Sequence, residues 1–479
     1  MENSKSNKLK TAIPFIFVLM LAIVSIHGNS FWGDEACRLW HPSYTLSEFF
    51  QRALGYAQIG YLGYTGLWGT VFGITEIAAR CSNIPFALLA LWYVLKILDK
   101  AKLPTWYFIF FFLHPMFVYY MNEVTPYIFI YALSLAFVYY IFFTGDEFST
   151  TKNIIRVNSI FLVGVFFHFI FGFAYVLYLC KCFFEWKKGK FVIKNHVKWL
   201  AIFAVAYIPL LGVVLYGLTS QDHITGTYGI QNIAFILYGF AGFAGIAMSR
   251  NDLRAGNFDK LTSVQLGLAI ALVLLYLLII VLACKTLLKV LKEHSTLWIA
   301  ALAYILFANI ASAIIHFRIW ERHLMVAFPI WILLLCTVID TIPKWKNAII
   351  IAVLALMAYS SFNLRFNYYY YYDDFKGIYQ AVEKEVAENQ VDVIYIEADH
   401  LHGFYNLNEL KSESQVQIRS LSGIDNIREL HKMLEAEARE ESIHVILFEK
   451  DFNAEDYNYL DEFADFVDTS YNSYKILGF

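Results

Sequence analysis

Charged side chains are scarce in this sequence: of its 479 residues, 16% are Asp, Glu, Lys or Arg, whereas 59% are hydrophobic. A soluble globular protein carries about 25% charged residues, and its single core does not need so much apolar surface. The composition therefore excludes an ordinary soluble protein. It predicts a polytopic α-helical membrane protein.

Cysteine is also scarce, and the six cysteines are scattered without any Cys-x-x-Cys pair. Neither a zinc site nor a disulfide framework is therefore indicated. Cys37 and Cys81 are predicted on the same outer side. They could form a disulfide with each other or remain as two free thiols, and both alternatives are open. No His-Glu-x-x-His motif and no Gly-rich phosphate loop occurs, so the sequence predicts no metal centre. The first apolar run, 11–27, lacks a small-x-small cleavage site and is interpreted as a retained helix.

Long apolar runs, by contrast, are abundant. A membrane-spanning helix needs about 20 apolar residues, and about eleven runs approach that length. The pair within 153–186 is the least distinct. The predicted spans are 11–27, 77–98, 104–121, 125–144, 153–168, 169–186, 199–218, 262–283, 296–315, 323–340 and 346–362.

Lysine marks alternate connections between these runs, which predicts the orientation by the positive-inside rule. The lysine-rich stretches are 5–10, 96–102, 152–156, 181–198, 285–292 and 344–346. An odd number of spans then places the N-terminus in the cytoplasm and the C-terminal tail outside, in a membrane expected to be the bacterial inner membrane. Two long outer loops, 28–76 and 219–261, contain apolar stretches that are short of a span and are predicted to lie in the membrane interface.

The tail differs in kind from the rest. Residues 363–479 hold 10 Lys and Arg against 24 Asp and Glu, whereas residues 1–362 hold 27 against 16. Strand-like segments at 391–396, 443–448 and 474–477 alternate with helical patterns at 374–388 and 426–441. We therefore predict two domains: a transmembrane domain at 1–362 and an acidic extracytoplasmic α/β domain at 363–479.

Cations on the outer side are nearly all arginine. Arginine offers a planar fork suited to phosphate, whereas lysine acts as a point charge, so this bias indicates a phosphate ligand. Scattered interfacial arginine is the alternative. The same side carries the stretch FWGDEACR at 31–38, where Asp34 and Glu35 follow directly on the first span. A carboxylate at the rim of the bilayer is well placed to act as a general base.

The order Trp-x-Asp-Glu after the first span resembles that of the GT-C glycosyltransferases. These polyprenyl-phosphate-sugar transferases, similar to glycosyltransferase family 39, include the protein O-mannosyltransferases and the bacterial aminoarabinose transferases of lipid A. The resemblance continues with the segments Tyr61–Tyr64, Phe72–Ser82, Asn122–Tyr127, His168 and Glu321–Pro329. It covers residues 10–362, and an outer α/β domain also occurs in bacterial relatives.

The resemblance implies a reaction and a set of site residues. A sugar on a polyprenyl phosphate would pass to an acceptor with inversion, with Asp34 as the base. Glu35 would orient Asp34 or bind the sugar or acceptor. Charges inside spans usually mark function. Accordingly Arg80 and Arg322, and more weakly Arg318, are the predicted ligands of the donor phosphate. The predicted cavity-lining residues are Glu123, His168, His323 and Tyr64.

Several alternatives remain at this point. Arg80 can instead pair with Glu76 within a helix. Glu123 can serve as a helix N-terminal carboxylate. A divalent cation bridging Asp34 and phosphate stays open. The family's His/Lys-Pro-Pro motif is absent at 57–61.

The function also has alternatives: a transporter or flippase for a lipid-linked sugar, or a non-catalytic envelope-polysaccharide assembly protein. The sequence shows no internal repeat of the kind typical of transporters.

Overall fold

A computed structural model describes residues 2–28, 31, 35, 38–39, 45–189, 193–220, 230–255, 260–314, 319–367 and 370, together with five strands beyond them. The chain divides into two compact units. One comprises Met1–His27 and Pro42–Tyr370, and the other comprises Gly28–His41 and Tyr371–Phe479. The segment that contains Asp34 and Glu35 therefore belongs to the same unit as the tail. The last helix of the first unit continues past residue 362, where the sequence placed the domain boundary.

The first unit is helical, and each predicted apolar run overlaps a helix. In its first half these are α1 (Glu2–Ser25), α2 (Leu46–Gly55), α3 (Ile59–Phe72), α4 (Glu76–Cys81), α5 (Ile84–Lys100), α6 (Phe108–Phe112), α7 (Pro115–Met121), α8 (Tyr127–Phe142) and α9 (Thr151–Phe167). In its second half these are α10 (Tyr175–Lys187), α11 (Ile193–Ser220), α12 (Ile230–Ala241), α13 (Arg250–Ala255), α14 (Ser263–Glu293), α15 (Ser295–Ile314), α16 (Phe328–Asp340) and α17 (Lys346–Phe366).

Length and composition identify the helices that can cross a membrane. Within the described ranges six segments qualify: Glu76–Lys100, Phe169–Lys187, Ile193–Gly217, Ser263–Glu293, Ser295–Ile314 and Lys346–Phe366. Four shorter apolar helices accompany them, at Ala12–Ser25, Tyr127–Phe142, Asn232–Ala241 and Phe328–Asp340. Helices α2 and α3 of the first outer loop are too short to span about 30 Å of hydrocarbon.

Helix α8 is the centre of this unit. Of its 16 residues, 13 are buried, including Tyr127 and Tyr131. A helix that is apolar on every side is surrounded either by protein or by lipid, and the burial of these residues shows that protein surrounds α8. Here α5, α9 and α10 pack around it. The central position of α8 brings its N-terminus, with Tyr127, close to the connections that carry the predicted site residues.

The third predicted span, 104–121, is broken rather than continuous. Pro115 disfavours helical backbone at the preceding residue, and His114 is extended, with φ −63° and ψ 134°. The His114 ring is fully buried: its Nδ1 accepts from the Met116 N–H at 3.2 Å, and its Nε2 bonds the Phe240 carbonyl at 3.2 Å. The Ser361 hydroxyl donates to the Leu113 carbonyl at 2.8 Å. Side chains and carbonyls of distant helices thus satisfy the polar groups that the break exposes.

The second unit contains a five-stranded sheet. Its strands are β1 (Val393–Ile396), β2 (Gln417–Ser420), β3 (Ile443–Phe448), β4 (Phe466–Asp468) and β5 (Tyr474–Gly478), in the order β2-β1-β3-β5-β4. β1 pairs in parallel with β2 and β3, whereas β5 is antiparallel to β3 and β4. The sequence predicted β1, β3 and β5, but it missed β2 and β4, which are short. The helices predicted at 374–388 and 426–441 lie outside the described residues.

Candidate active site at the polar end of the helical unit

Buried polar residues gather at one end of the helical unit. We call this the polar end and define it by residues 26–27, 76–83, 119–125, 168, 250 and 319–323. Helices α5, α10 and α16 start beside it. Lys96 and Lys187 lie near the far ends of α5 and α10, and Lys346 follows the far end of α16. The polar end and the lysine-bearing end are therefore opposite ends, as the sequence pattern predicted.

Two arginines hold the C-terminal end of α1 at the polar end. Arg80 Nη1 donates to the His27 carbonyl at 2.8 Å, and Arg365 Nε donates to the Val24 carbonyl at 2.7 Å. Cations are favourable at this position because the last carbonyls of a helix have no partners within it. Arg80, predicted to bind phosphate, thus has a clear anchoring role, and its predicted phosphate contact stays a prediction.

The turn after α7 is fixed by two amides. The His27 N–H donates to Asn122 Oδ1 at 3.0 Å, and the Asn122 amide also bonds His27 Nε2. The Asn83 amide donates to the carbonyls of Tyr120, Met121 and Glu123 at 3.4, 3.2 and 2.7 Å. These bonds place the buried Glu123 carboxylate, whose Oε2 accepts from the Thr125 hydroxyl at 3.5 Å.

A buried ion pair is the most concentrated charge at the polar end. Arg250 Nη2 lies 3.2 Å from Glu321 Oε1, and their side chains are 8% and 1% exposed. The Tyr120 hydroxyl lies between them: it accepts from Arg250 Nη1 at 3.0 Å and donates to Glu321 Oε1 at 3.2 Å. The Arg250 guanidinium also stacks on the Tyr119 ring at 3.8 Å. We call Tyr120, Arg250 and Glu321 the buried triad.

Three predicted site residues surround the ring of Tyr127. Arg322 lies over it, with 5.6 Å from the guanidinium carbon to the ring centroid. The rings of His168 and His323 lie 5.8 and 6.3 Å from it. Tyr127 in turn packs on Tyr120 at 5.0 Å. The structure therefore joins Arg322, His168 and His323 to the buried triad through two aromatic rings.

Both histidines also have local structural roles. His168 Nδ1 accepts from the Ile170 N–H at 3.2 Å, and His323 Nδ1 accepts from the Trp320 N–H at 3.0 Å. These bonds cap the N-terminal ends of two short 3₁₀ helices, Phe169–Ala174 and Glu321–Leu324. Tyr64 differs, because its hydroxyl donates to the Ser82 carbonyl at 2.8 Å and its ring packs on Phe86 at 5.0 Å. Burial raises the pKa of Tyr64 to about 12, so its hydroxyl stays protonated.

The structure describes some, but not all, of the remaining residues that the sequence predicted for the site. Asp34 and Arg318 lie outside the described residues. Glu35 belongs to the second unit, where it is buried and its carbonyl accepts the Arg38 N–H at 3.0 Å. Cys81 is a free thiol, so the disulfide alternative with Cys37 is not formed. In the described part of the chain no three His, Cys, Asp or Glu side chains are grouped as a metal site.

Sequence reasoning missed the buried triad. Arg250 was only one of several outer arginines, and Glu321 was part of a motif without a role. The single usable signal was that arginine, and almost no lysine, occurs on the outer side. Nothing local to residues 120, 250 and 321 indicates that they meet.

One prediction concerns His27, which lies just beyond α1. Burial lowers its pKa to about 2, and the charges of Arg80 and Arg365 act in the same direction. Below about pH 6.5 the unfolded chain takes up a proton that the folded chain does not, so stability falls as pH falls, by about 1.4 kcal/mol per pH unit. Thermal unfolding in detergent between pH 7.5 and 5.5 should show this loss. The variant His27→Gln keeps an acceptor for Asn122, and equal pH dependence in both proteins would contradict the prediction.

Comparison with solved structures finds proteins with a similar architecture. The crystal structure of ArnT from Cupriavidus metallidurans in the apo state matches with a TM-score of 0.53 and 10% sequence identity. The match covers 99% of this chain and 98% of that chain. Neither a family model nor a curated protein sequence matches this chain. The chain is therefore an integral, polytopic α-helical membrane protein with the fold of that structure.

Proposed function

We propose that this protein is a membrane glycosyltransferase that moves a sugar from a polyprenyl-phosphate donor to an acceptor on the extracytoplasmic face of a bacterial inner membrane. The observation that carries the proposal is the group of buried arginines, carboxylates and tyrosines at one end of a GT-C fold. Buried charge in a membrane protein is expensive and usually marks function. A flippase would instead use charges near the midplane of repeated halves.

The donor phosphate is assigned to Arg322 and Arg250, with Arg318 and Arg80 as further cations of the same side. A guanidinium binds phosphate through paired N–H donors, and the aromatic surroundings strengthen the interaction by excluding water. The phosphate is the leaving group, and its negative charge grows as its bond to the sugar breaks. Fixed cations at that oxygen therefore stabilise the transition state more than the ground state.

The acceptor is activated by Asp34 in this mechanism. An oxygen or nitrogen of the acceptor attacks the anomeric carbon, its proton passes to the Asp34 carboxylate, and the bond from the sugar to the phosphate breaks. The configuration at the anomeric carbon is inverted, and polyprenyl phosphate leaves. Glu35 orients Asp34 or contacts the sugar. A general base of this kind contributes about 10²–10⁴-fold to the rate.

The experiment uses purified full-length protein in nanodiscs with a polyprenyl-phosphate sugar donor. Asp34→Asn should lower turnover by about 10²–10⁴-fold and leave donor binding within about threefold, because the amide keeps the shape and loses the base. The control is Asp99→Asn, an exposed carboxylate near the far end of α5, which should behave as wild type. Full turnover in Asp34→Asn would refute the base assignment. Donor translocation without sugar transfer would favour the flippase.

A further inference from the structure

Among the described residues, the Glu321 carboxylate at the polar end has one oxygen without a hydrogen-bond partner. Glu321 is fully buried, and its Oε1 accepts from the Tyr120 hydroxyl and pairs with Arg250. Its Oε2 is also out of reach of solvent and has no hydrogen-bond partner among the described residues. Leaving a buried acceptor unsatisfied is costly, and such groups are few in native proteins. The ion pair explains Oε1 but leaves Oε2 unexplained.

The surrounding backbone prevents this side chain from turning away. A Cβ added at Gly239 would stand 2.5 Å from Glu321 Cγ and 2.7 Å from its Cβ. Helix α12 therefore packs directly on the Glu321 stem and needs glycine at this position. The Asn232 amide, also on α12, donates to the Ile319 carbonyl at 2.7 Å. Glu321 is thus held from two sides, by the buried triad and by α12.

We propose that Glu321 Oε2 accepts a hydrogen bond from a hydroxyl of the transferred sugar, which makes Glu321 a specificity-determining residue. An ion-paired carboxylate accepts hydrogen bonds and donates none, so its ligand must carry an O–H or N–H. The inference rests on the proposed function, in which Arg250 and Arg322 bind the donor phosphate. Oε2 belongs to the same carboxylate that pairs with Arg250. The hydroxyl on the carbon beside the anomeric carbon, the 2-hydroxyl, is the one closest to that phosphate.

This assignment defines the sugars that fit. A donor sugar with a free 2-hydroxyl supplies the missing hydrogen, whereas its 2-deoxy-2-fluoro analogue can only accept. Two acceptors facing each other in a site without water lose the bond and repel. Sites built to bond a polar group of the substrate reject analogues that lack it. The neighbouring side chains must part to admit the sugar, and the new bond then offsets part of that cost.

The test compares two probes, a polyprenyl-phosphate hexose or pentose that wild type transfers and its 2-deoxy-2-fluoro analogue. Mannose, glucose and arabinose donors are screened first. Wild-type protein should bind the hydroxyl form about 10–100-fold more tightly, as expected for a hydrogen bond to a charged group. In Glu321→Gln the amide oxygen stays with Arg250, so an NH₂ replaces Oε2 and the preference should fall to about threefold or less. Any general effect of fluorine cancels between the two proteins.

Two further variants separate specificity from folding. Gly239→Ala leaves the carboxylate in the chain but displaces it, and it should lose the preference in the same way. Glu185→Gln removes a carboxylate ion-paired with Lys181 in α10, far along the helix from the polar end, and should keep the wild-type preference. If wild type transfers the sugar and Glu321→Gln keeps the same preference for the 2-hydroxyl donor, the proposed role of Glu321 is wrong. The proposed transferase function would be unaffected by that result. Wild type that transfers no sugar and binds both probes equally would overturn both proposals.

Discussion

Replacing Arg250 with Met, or Glu321 with Leu, should lower the free energy of unfolding by about 3–5 kcal/mol, because each change leaves the opposite charge buried without its ion-pair partner. Both side chains are less than a tenth exposed and their charged atoms lie 3.2 Å apart. Unfolding in mixed micelles, followed by tryptophan fluorescence, measures the loss.

The double variant Arg250→Met with Glu321→Leu should be destabilised by less than the sum of the two single variants. It removes both charges of the ion pair together, and the Tyr120 hydroxyl loses these two partners, at about 1–3 kcal/mol. The matched control is the exposed pair Lys289 and Glu293, 3.8 Å apart, where single changes should cost about 0–1 kcal/mol. Simple additivity at Arg250 and Glu321 would show that the two charges are not coupled.

Arg322→Gln should weaken binding of a polyprenyl-phosphate donor by about 10–100-fold, because it removes a charged donor of hydrogen bonds to the phosphate. Binding of the free acceptor should change little. Isothermal titration with polyprenyl phosphate and with its sugar ester measures the effect directly. A raised KM with a preserved kcat would indicate binding of the ground state alone, whereas a lowered kcat would place Arg322 on the leaving group.

The chain offers a close control for Arg322. Arg156 also lies over a tyrosine ring, 5.3 Å from the centroid of Tyr140, compared with 5.6 Å for Arg322 over Tyr127. It lies near the start of α9, at the end of this helix that is predicted to be cytoplasmic, so Arg156→Gln loses the same kind of contact without approaching the donor. Equal weakening of donor binding in both variants would mean that Arg322 acts only through the fold.

The longer helices of this protein were predictable because they coincide with apolar runs, and lysine marks where alternate runs end. The break at His114 was not predictable from the sequence. Pro115 can either kink a span or start a new helix, and only the packing of the helix decides between these two outcomes. Strands β1 and β3 are continuous apolar runs, as buried parallel strands are. β2, with Arg419 and Ser420, and the three-residue β4 lack that signal.

The site was predictable in its residue types more than in its geometry. Motif order selected Arg322, His168 and His323, which the structure brings around Tyr127. In the buried triad, Tyr120 contacts Arg250 and Glu321, which follow it in the sequence by 130 and 201 residues. No local sequence pattern indicates contacts at such separations. The structure adds a role for Arg80 that the sequence did not indicate, because its guanidinium holds the end of α1, and its phosphate contact stays a prediction.

The broken third span also bears on how the protein is inserted and assembled. A peptide group freed by a helix break cannot be left bare in hydrocarbon. The carbonyl of Leu113 bonds Ser361 and the Nε2 of His114 bonds Phe240, which the ribosome makes 248 and 126 residues later. This span therefore has to wait, sheltered by water, lipid headgroups or the insertion machinery, until α17 is synthesised. A chain truncated before α17 leaves the Leu113 carbonyl without this bond.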